Sequence, residues 1–499
     1  MGEDESRTEQ VRASDQIQTG SIAERAAVAL GRGAKAEVKV FNLSLPLLPV
    51  SVILVAIIGV LSYLLVRSDK PELMTSEFNV AVAEFMVVDD EGSPFQSDDG
   101  FNLGTWLYDR LNSGFDELGI EGYELWPPEY TSLVRGGDRE AREQAAAELA
   151  QDIGAHVVVY GVITKREAQS QLNLEFYVNY KGFQEGEEVM GEHGLGRALP
   201  IDLPFEKGQF QGVDNPALSA RVNGLSLLTI GLSYYATDDF ERASQLFTDA
   251  AETPGWFRSA GQEVVYLLLA NANVRQASKL GSPEPLSAAE DHYVEALDIK
   301  PDYARAQVGL ANVLYLRALG DPKNSGFDDV DQALLNEAER TFQKGLERAD
   351  APDSANIKSK VHFGLGQIYL VRSQVDGGEW LPRAREEFEA VLSTYGGVDP
   401  LLENLAGHAH ARIGSIDLLE GDAKAAAERY EKAAGLVSPF YQGWYQAKRG
   451  DILASLCEIE LALAAYDEAI RKAEFFGDEA SAEEYTKRQA RLFIAQECS

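Results

Sequence analysis

Three patterns of apolar and polar positions follow one another along the 499 residues. The first is a run without a charged residue, Leu45 to Val66, LPLLPVSVILVAIIGVLSYLLV. A helix of roughly 20 apolar residues is long enough to cross a bilayer. This run shows no polar face, whereas a buried core helix of such length normally has one. Pro46 and Pro49 fall in its first turns, where a missing N–H costs little. Tyr63 sits near the far end, at a depth that suits an amphipathic ring, and Arg67 stops the run. The expectation is one transmembrane helix over 45–66. It starts too far from Met1, and is too long, for a cleaved signal peptide, so it reads as an uncleaved anchor.

The second pattern begins after a linker, 67–77. Phe78–Phe85 (FNVAVAEF) is short, apolar and β-branched, as a buried strand is. Leu103, Leu107, Leu111, Phe115 and Leu118 recur at helical spacing and predict an amphipathic helix over about 101–118, with Gly119 as its stop. Tyr123–Trp126 reads as a second strand closed by Pro127 and Pro128. Asp138 is placed to cap the Ala- and Glu-rich helix that follows. His156–Ile163 and Gln171–Tyr180 read as third and fourth strands. Strand, helix, strand, helix, strand, strand predicts a small α/β domain with a mixed sheet over 78–205. The segments VAVAEF and GAHVVVYGVI, with the leucine-spaced helix between them, resemble the N-terminal domain of the TolB-like and FlgO-like families. That resemblance implies a fold and an envelope or membrane-linked setting, not a chemistry.

The third pattern starts after a second expected linker, 206–223. From Gly224 the chain repeats itself. Ile230-Gly231, Tyr234, Phe240, Ala243, Phe247, Ala250 and Pro254 form one unit. The second half recurs as Ala289, Tyr293, Ala296, Pro301; as Ala338, Phe342, Gly345; and as Ala384, Phe388, Val391. It returns as Ala426, Tyr430, Ala433, Pro439, and as Ala462, Tyr466, Ala469. First halves are visible at Leu310-Ala311, Leu365-Gly366-Tyr369 and Ile413-Gly414. Small residues let paired helices approach, and aromatics fill the space between them. This pattern resembles the tetratricopeptide repeat (TPR). It predicts about six repeats over 224–477, an all-α superhelix with loops inserted in repeats two to four, and a charged capping helix over 478–499. Families of this kind bind peptides or helices of partner proteins in a preformed groove.

Charge changes the picture. The chain carries a net charge of −35, and the tail 1–44 is roughly balanced, so the acidic surplus follows the apolar run. Such a surface repels phosphate backbones and anionic headgroups, which argues against nucleic acid and holds the large domains off the lipid. Arg25, Arg32, Lys35 and Lys39 precede the run, against Arg67 and Lys70 after it. This bias places the tail in the cytoplasm and the bulk of the chain outside. Two tail segments, Ile17–Ile22 and Val28–Ala34, loosely resemble Gly-rich signalling segments found beside bacterial signalling and defence ATPases. A flexible linker is the plainer reading. Only Cys457 and Cys498 occur, both expected on helices, which excludes a disulfide framework and argues against a cysteine-ligated metal site.

No residue set reaches the standard of a catalytic or cofactor site. His408 and His410 would lie about 200° apart on a helix, unsuited to sharing a metal. The acidic loop Asp89, Asp90, Glu91, Asp98, Asp99 lacks calcium-loop spacing. The Gly-rich stretch 186–200 has no GK[ST] and reads as a hairpin turn. Neither GxSxG nor HExxH occurs. The expected function is therefore a membrane-anchored scaffold that recruits protein partners through the TPR groove, with no enzyme activity and no cofactor. Two rivals stand: a sensor whose TolB-like domain binds a ligand and signals through the tail, and a component of a bacterial defence or cell-death system.

Overall fold

The computed structural model describes residues 73–494, apart from 96, 168, 180–182, 184–185, 187, 206–214, 321–329, 348–353 and 398–401. The expected transmembrane run 45–66 and both tail segments lie outside the described residues. Among the described residues no helix is long and apolar enough to cross a membrane.

The sheet is mixed. β1 (Phe78–Val82) runs parallel to β4 (Tyr123–Trp126) on one side and β5 (Val157–Thr164) on the other. β2 (Met86–Val88) lies beside the second half of β5 and forms a hairpin with β3 (Pro94–Phe95). The expected strand 78–85 thus stops at Val82, and β2 follows it from Met86. β6 (Ser170–Val178) is antiparallel to β5. Its far edge takes β7 (Gly191–Gly194) and β8 (Leu199–Ile201). The Gly-rich stretch is therefore two short strands joined by a turn. Its few branched side chains give no strand signal of their own.

Alternation along β1 decides what each face packs on. Val80 and Val82 join Leu103, Leu107 and Leu111 of α1 (Asp98–Glu117). Ala81 and Ala83 join Ala146, Leu149 and Ile153 of α2 (Arg139–Ile153). Ser97 caps α1, and Asp138 accepts a bond from Ala141 N at 2.9 Å to cap α2. The caps satisfy amide groups that would otherwise be orphaned.

From Pro216 the described residues form six helix pairs. They are α3 (Pro216–Ala236) with α4 (Phe240–Ala251), α5 (Glu263–Leu280) with α6 (Glu284–Ile299), and α7 (Ala304–Leu319) with α8 (Gln332–Glu347). Then come α9 (Ser354–Val375) with α10 (Leu381–Tyr395), α11 (Glu403–Leu419) with α12 (Ala423–Leu436), and α13 (Pro439–Ser455) with α14 (Ile459–Phe475). α15 (Glu479–Ile494) ends the stack. The part of the expected linker from Pro216 to Asn223 is helical: Asn215 accepts from Leu218 N at 3.0 Å and Pro216 fills the first turn, so the helix starts ahead of Gly224. The expected loop between α7 and α8 falls largely on residues outside the described ones.

The repeat signature sits inside the pairs. Ala243, Phe247, Ala250, Ala289, Tyr293, Ala296, Ala384, Phe388, Ala426, Tyr430, Ala433, Ala462, Tyr466 and Ala469 are all buried. Close approach makes the glycines necessary. A Cβ on Gly366 would stand 2.8 Å from the Phe388 ring, and one on Gly450 would stand 3.1 Å from Tyr466. Gly231 faces Phe247 and Gly414 faces Tyr430 in the same way. Tyr234 is only half-buried and packs under Arg242, while Tyr369 stacks on Trp380 at 5.7 Å.

One cysteine expectation is corrected. Cys457 is not on a helix but in the turn between α13 and α14, with φ of 59°, and it is disulfide-bonded.

Candidate functional site

From the second pair on, the first helix of each pair turns one stripe of side chains toward a shared groove. On α5 the stripe is Leu267, Asn271, Val274 and Arg275; on α7, Arg305, Val308, Gly309 and Asn312. On α9 it is Ile357, Lys360, Phe363 and Gln367, and on α11 Leu405, His408 and Arg412. On α13 it is Tyr441, Trp444 and Tyr445. The spacing of three and four residues within each helix puts these positions on one face. Two cavities of 370 and 490 Å³ lie along the stripe, and both are lined by Phe363, Gln367, His408 and Tyr441. The groove is thus continuous from the second repeat to the last.

Its two ends differ. At the first end the sheet domain reaches in. Glu188 accepts from the Tyr235 hydroxyl, Arg275 stands 3.8 Å from the same carboxylate, and Asn271 donates to the Glu188 carbonyl at 3.3 Å. Arg305 donates to the Met190 carbonyl at 2.7 Å. Residues 188–190 are held against that end by these polar contacts. At the other end the groove is walled by Lys472, Phe476, Ser481 and Tyr485 from α14, α15 and the turn between them.

The aromatic wall is organised by His408. Its ring meets Tyr441 edge-on at 4.8 Å and Tyr445 at 5.8 Å, and its Nδ1 is 2.6 Å from the Tyr445 hydroxyl. Burial, with Arg412 adding to it, pushes the imidazole down to about 4. His408 is therefore neutral at neutral pH and serves as an aromatic hydrogen-bonding surface. Trp444 packs on Tyr445 at 4.9 Å yet remains 46% exposed. An indole half open to water beside an apolar cavity is the feature that a binding partner would cover.

The other singled-out residues lie elsewhere. His410 points away from the groove toward α12, with Arg429 Nη1 at 3.3 Å. In the acidic loop, Asp89 accepts from Glu91 N at 3.0 Å and from Ser93 N at 2.7 Å, and Asp99 accepts from Phe205 N at 2.6 Å. Their carboxylates thus brace turns. Among the described residues no group of His, Cys, Asp and Glu could hold a metal ion. The TPR signature residues frame the groove from beneath without lining it, except Tyr293 and Phe342. Sequence reasoning missed the groove residues because it followed the signature, which marks packing within a pair. The available signal was the dense aromatic run Tyr441, Trp444, Tyr445, which the signature does not require.

No protein-family model matches the chain, and no curated protein matches it. Among solved structures, a thermophilic TPR protein of Thermus thermophilus is 17% identical, covers 46% of this chain and 99% of its own, with a TM-score of 0.33. PilF of Pseudomonas aeruginosa is 20% identical over 47% of this chain and 93% of its own, with a TM-score of 0.30. PilW, a type IV pilus biogenesis factor, is 16% identical over 55% and 96%, with a TM-score of 0.31. These likenesses are partial, and what the groove binds has to be read from its own residues.

Proposed function

We propose that the chain is a membrane-anchored scaffold whose groove holds an extended segment of a partner protein. The observation that carries this reading is the unbroken stripe from Leu267 to Tyr445, which ends in the half-exposed Trp444 beside a 490 Å³ cavity. Such a surface is formed before the partner arrives, so binding costs little ordering of the scaffold. The apolar run 45–66 supports the anchor, and the TolB-like pattern over 78–205 supports an envelope setting. The charge bias around the run supports an outward-facing bulk, and so does the disulfide at Cys457, since such bonds persist in oxidising compartments. The net charge of −35 speaks for protein partners over nucleic acid.

The test is affinity purification of the full chain from gently solubilised membranes. A stoichiometric protein partner that is lost on Trp444→Ala and retained on an exposed change outside the groove, Glu241→Gln, supports the reading. No stoichiometric partner, or a partner indifferent to Trp444, sinks it. Protease accessibility of a C-terminal tag tests the orientation separately: cleavage without lysing the membrane supports an outward bulk, and protection reverses it.

A further inference from the structure

A separate crevice lies in the sheet domain, apart from the groove. Chain direction creates it. β1 leads, after the β2–β3 hairpin, through α1 to β4 on one side, and β4 leads through α2 to β5 on the other side of β1. The connections leave the neighbouring C-terminal ends of β1 and β4 in opposite directions, and a crevice is left where they part. In open α/β sheets ligands bind outside the carboxyl ends of strands at such a switch point. Here a cavity of 480 Å³ occupies that place, built from the segment after β1 and the segment after β4. Its volume is in the range of small-molecule sites.

The lining has a definite chemistry. Phe85, Met86 and Val87 give a buried apolar floor, and Leu133 a half-buried wall. Glu84 and Arg135 both line the cavity, one of each charge. Among the described residues neither has a hydrogen bond or ion pair; they act on each other only through space. The rim is fixed rather than loose. A Cβ on Gly136 would stand 2.7 Å from Ala141 C, so this loop is pressed on the start of α2.

We infer that this crevice binds a small zwitterion with an apolar side chain, an α-amino acid or dipeptide, its ammonium on Glu84, its carboxylate on Arg135 and its side chain on Met86, Val87 and Leu133. A simple anion would meet Glu84, and a metal cation would meet Arg135. A ligand carrying both charges satisfies both groups, and the apolar floor rewards a hydrocarbon side chain. The inference is independent of the groove and stands or falls apart from it.

Isothermal titration of the full chain in detergent with L-leucine and with L-leucyl-L-leucine tests it. Leucinamide, which lacks the carboxylate, and 4-methylpentanoate, which lacks the ammonium, are the controls. The expected result is saturable binding of at least one zwitterion, weaker by about tenfold or more in each control and in Glu84→Gln and Arg135→Gln. Binding of leucine alone or of the dipeptide alone fixes the ligand's length. No saturable binding of either zwitterion at millimolar concentration overturns the inference. So do controls that bind as well as the zwitterions, or variants that bind like the unmodified chain. If a variant melts early, the comparison of zwitterions with controls on the unmodified chain still decides.

Discussion

The junction of the sheet domain with the first repeat and the groove end of the last repeats use the same residue types for opposite purposes. At the junction one apolar core runs without a break from Val80 and Leu103 through Leu218 and Leu225 to Phe247 and Trp256. The sheet's first face is closed by α3, a helix of the repeat array, as well as by its own α1. Arg221 is buried there and donates to the carbonyls of Leu195, Arg197 and Ala260. Aromatics and a cation are consumed in packing. At the groove end, Tyr441, Trp444 and Phe476 keep part of their surface open, and Arg412 is exposed. The repeat scaffold is rigidly seated at one end, which leaves the other end to present a surface.

Four changes test that contrast. Phe247→Ala empties the shared core and should cost about 3–5 kcal/mol. Thermal unfolding followed by hydrogen exchange should show the sheet and the first repeat weakening together. If exchange in β1 and β5 is unaffected, the shared core is not one cooperative unit. Arg221→Met keeps the volume but leaves the Leu195 and Arg197 carbonyls without this donor, while the Ala260 carbonyl keeps the Arg197 amide, with an expected loss of about 2–3 kcal/mol in denaturant titration.

Acid should act on the other end. His408 ordinarily titrates near 6.5 but is held down to about 4 by burial and Arg412. The unfolded chain therefore takes up this proton first. The stability it contributes is complete above about pH 6.5 and is lost as pH falls toward 4, to the extent of about 2–3 kcal/mol. Exchange in α11 and α13 between pH 7 and 4 measures it, and His408→Gln should flatten that dependence. His410, also held down to about 4 by burial, with Arg429 and Lys432 adding to it, remains as a residual slope. Trp444→Ala is the smallest change in stability, within about 0.5 kcal/mol in thermal melting, because the indole is half open to water. Its effect belongs to partner capture. A large loss of stability would show that Trp444 is core and not surface.

Local pattern decided much of this molecule. The spacing of Ala243, Phe247 and Ala250, and its returns down to Ala462, Tyr466 and Ala469, is a direct record of helices packing in pairs, because small and aromatic residues must alternate where backbones approach. The alternation of Val80 and Val82 against Ala81 and Ala83 likewise separates the two faces of the sheet before any partner is known. What the spacing does not carry is which residues from distant helices share a surface. Phe363, His408, Tyr441 and Trp444 come from three different repeats, and only the superhelical stacking brings them along one groove. Glu84 and Arg135 line one cavity only because the neighbouring strands β1 and β4 send their connections in opposite directions. The short strands β7 and β8 and the bond at Cys457 depend in the same way on partners remote in sequence. Periodicity encodes the contacts a residue makes with its own element and the next one. Sites are made by contacts across the fold, and those belong to the tertiary structure.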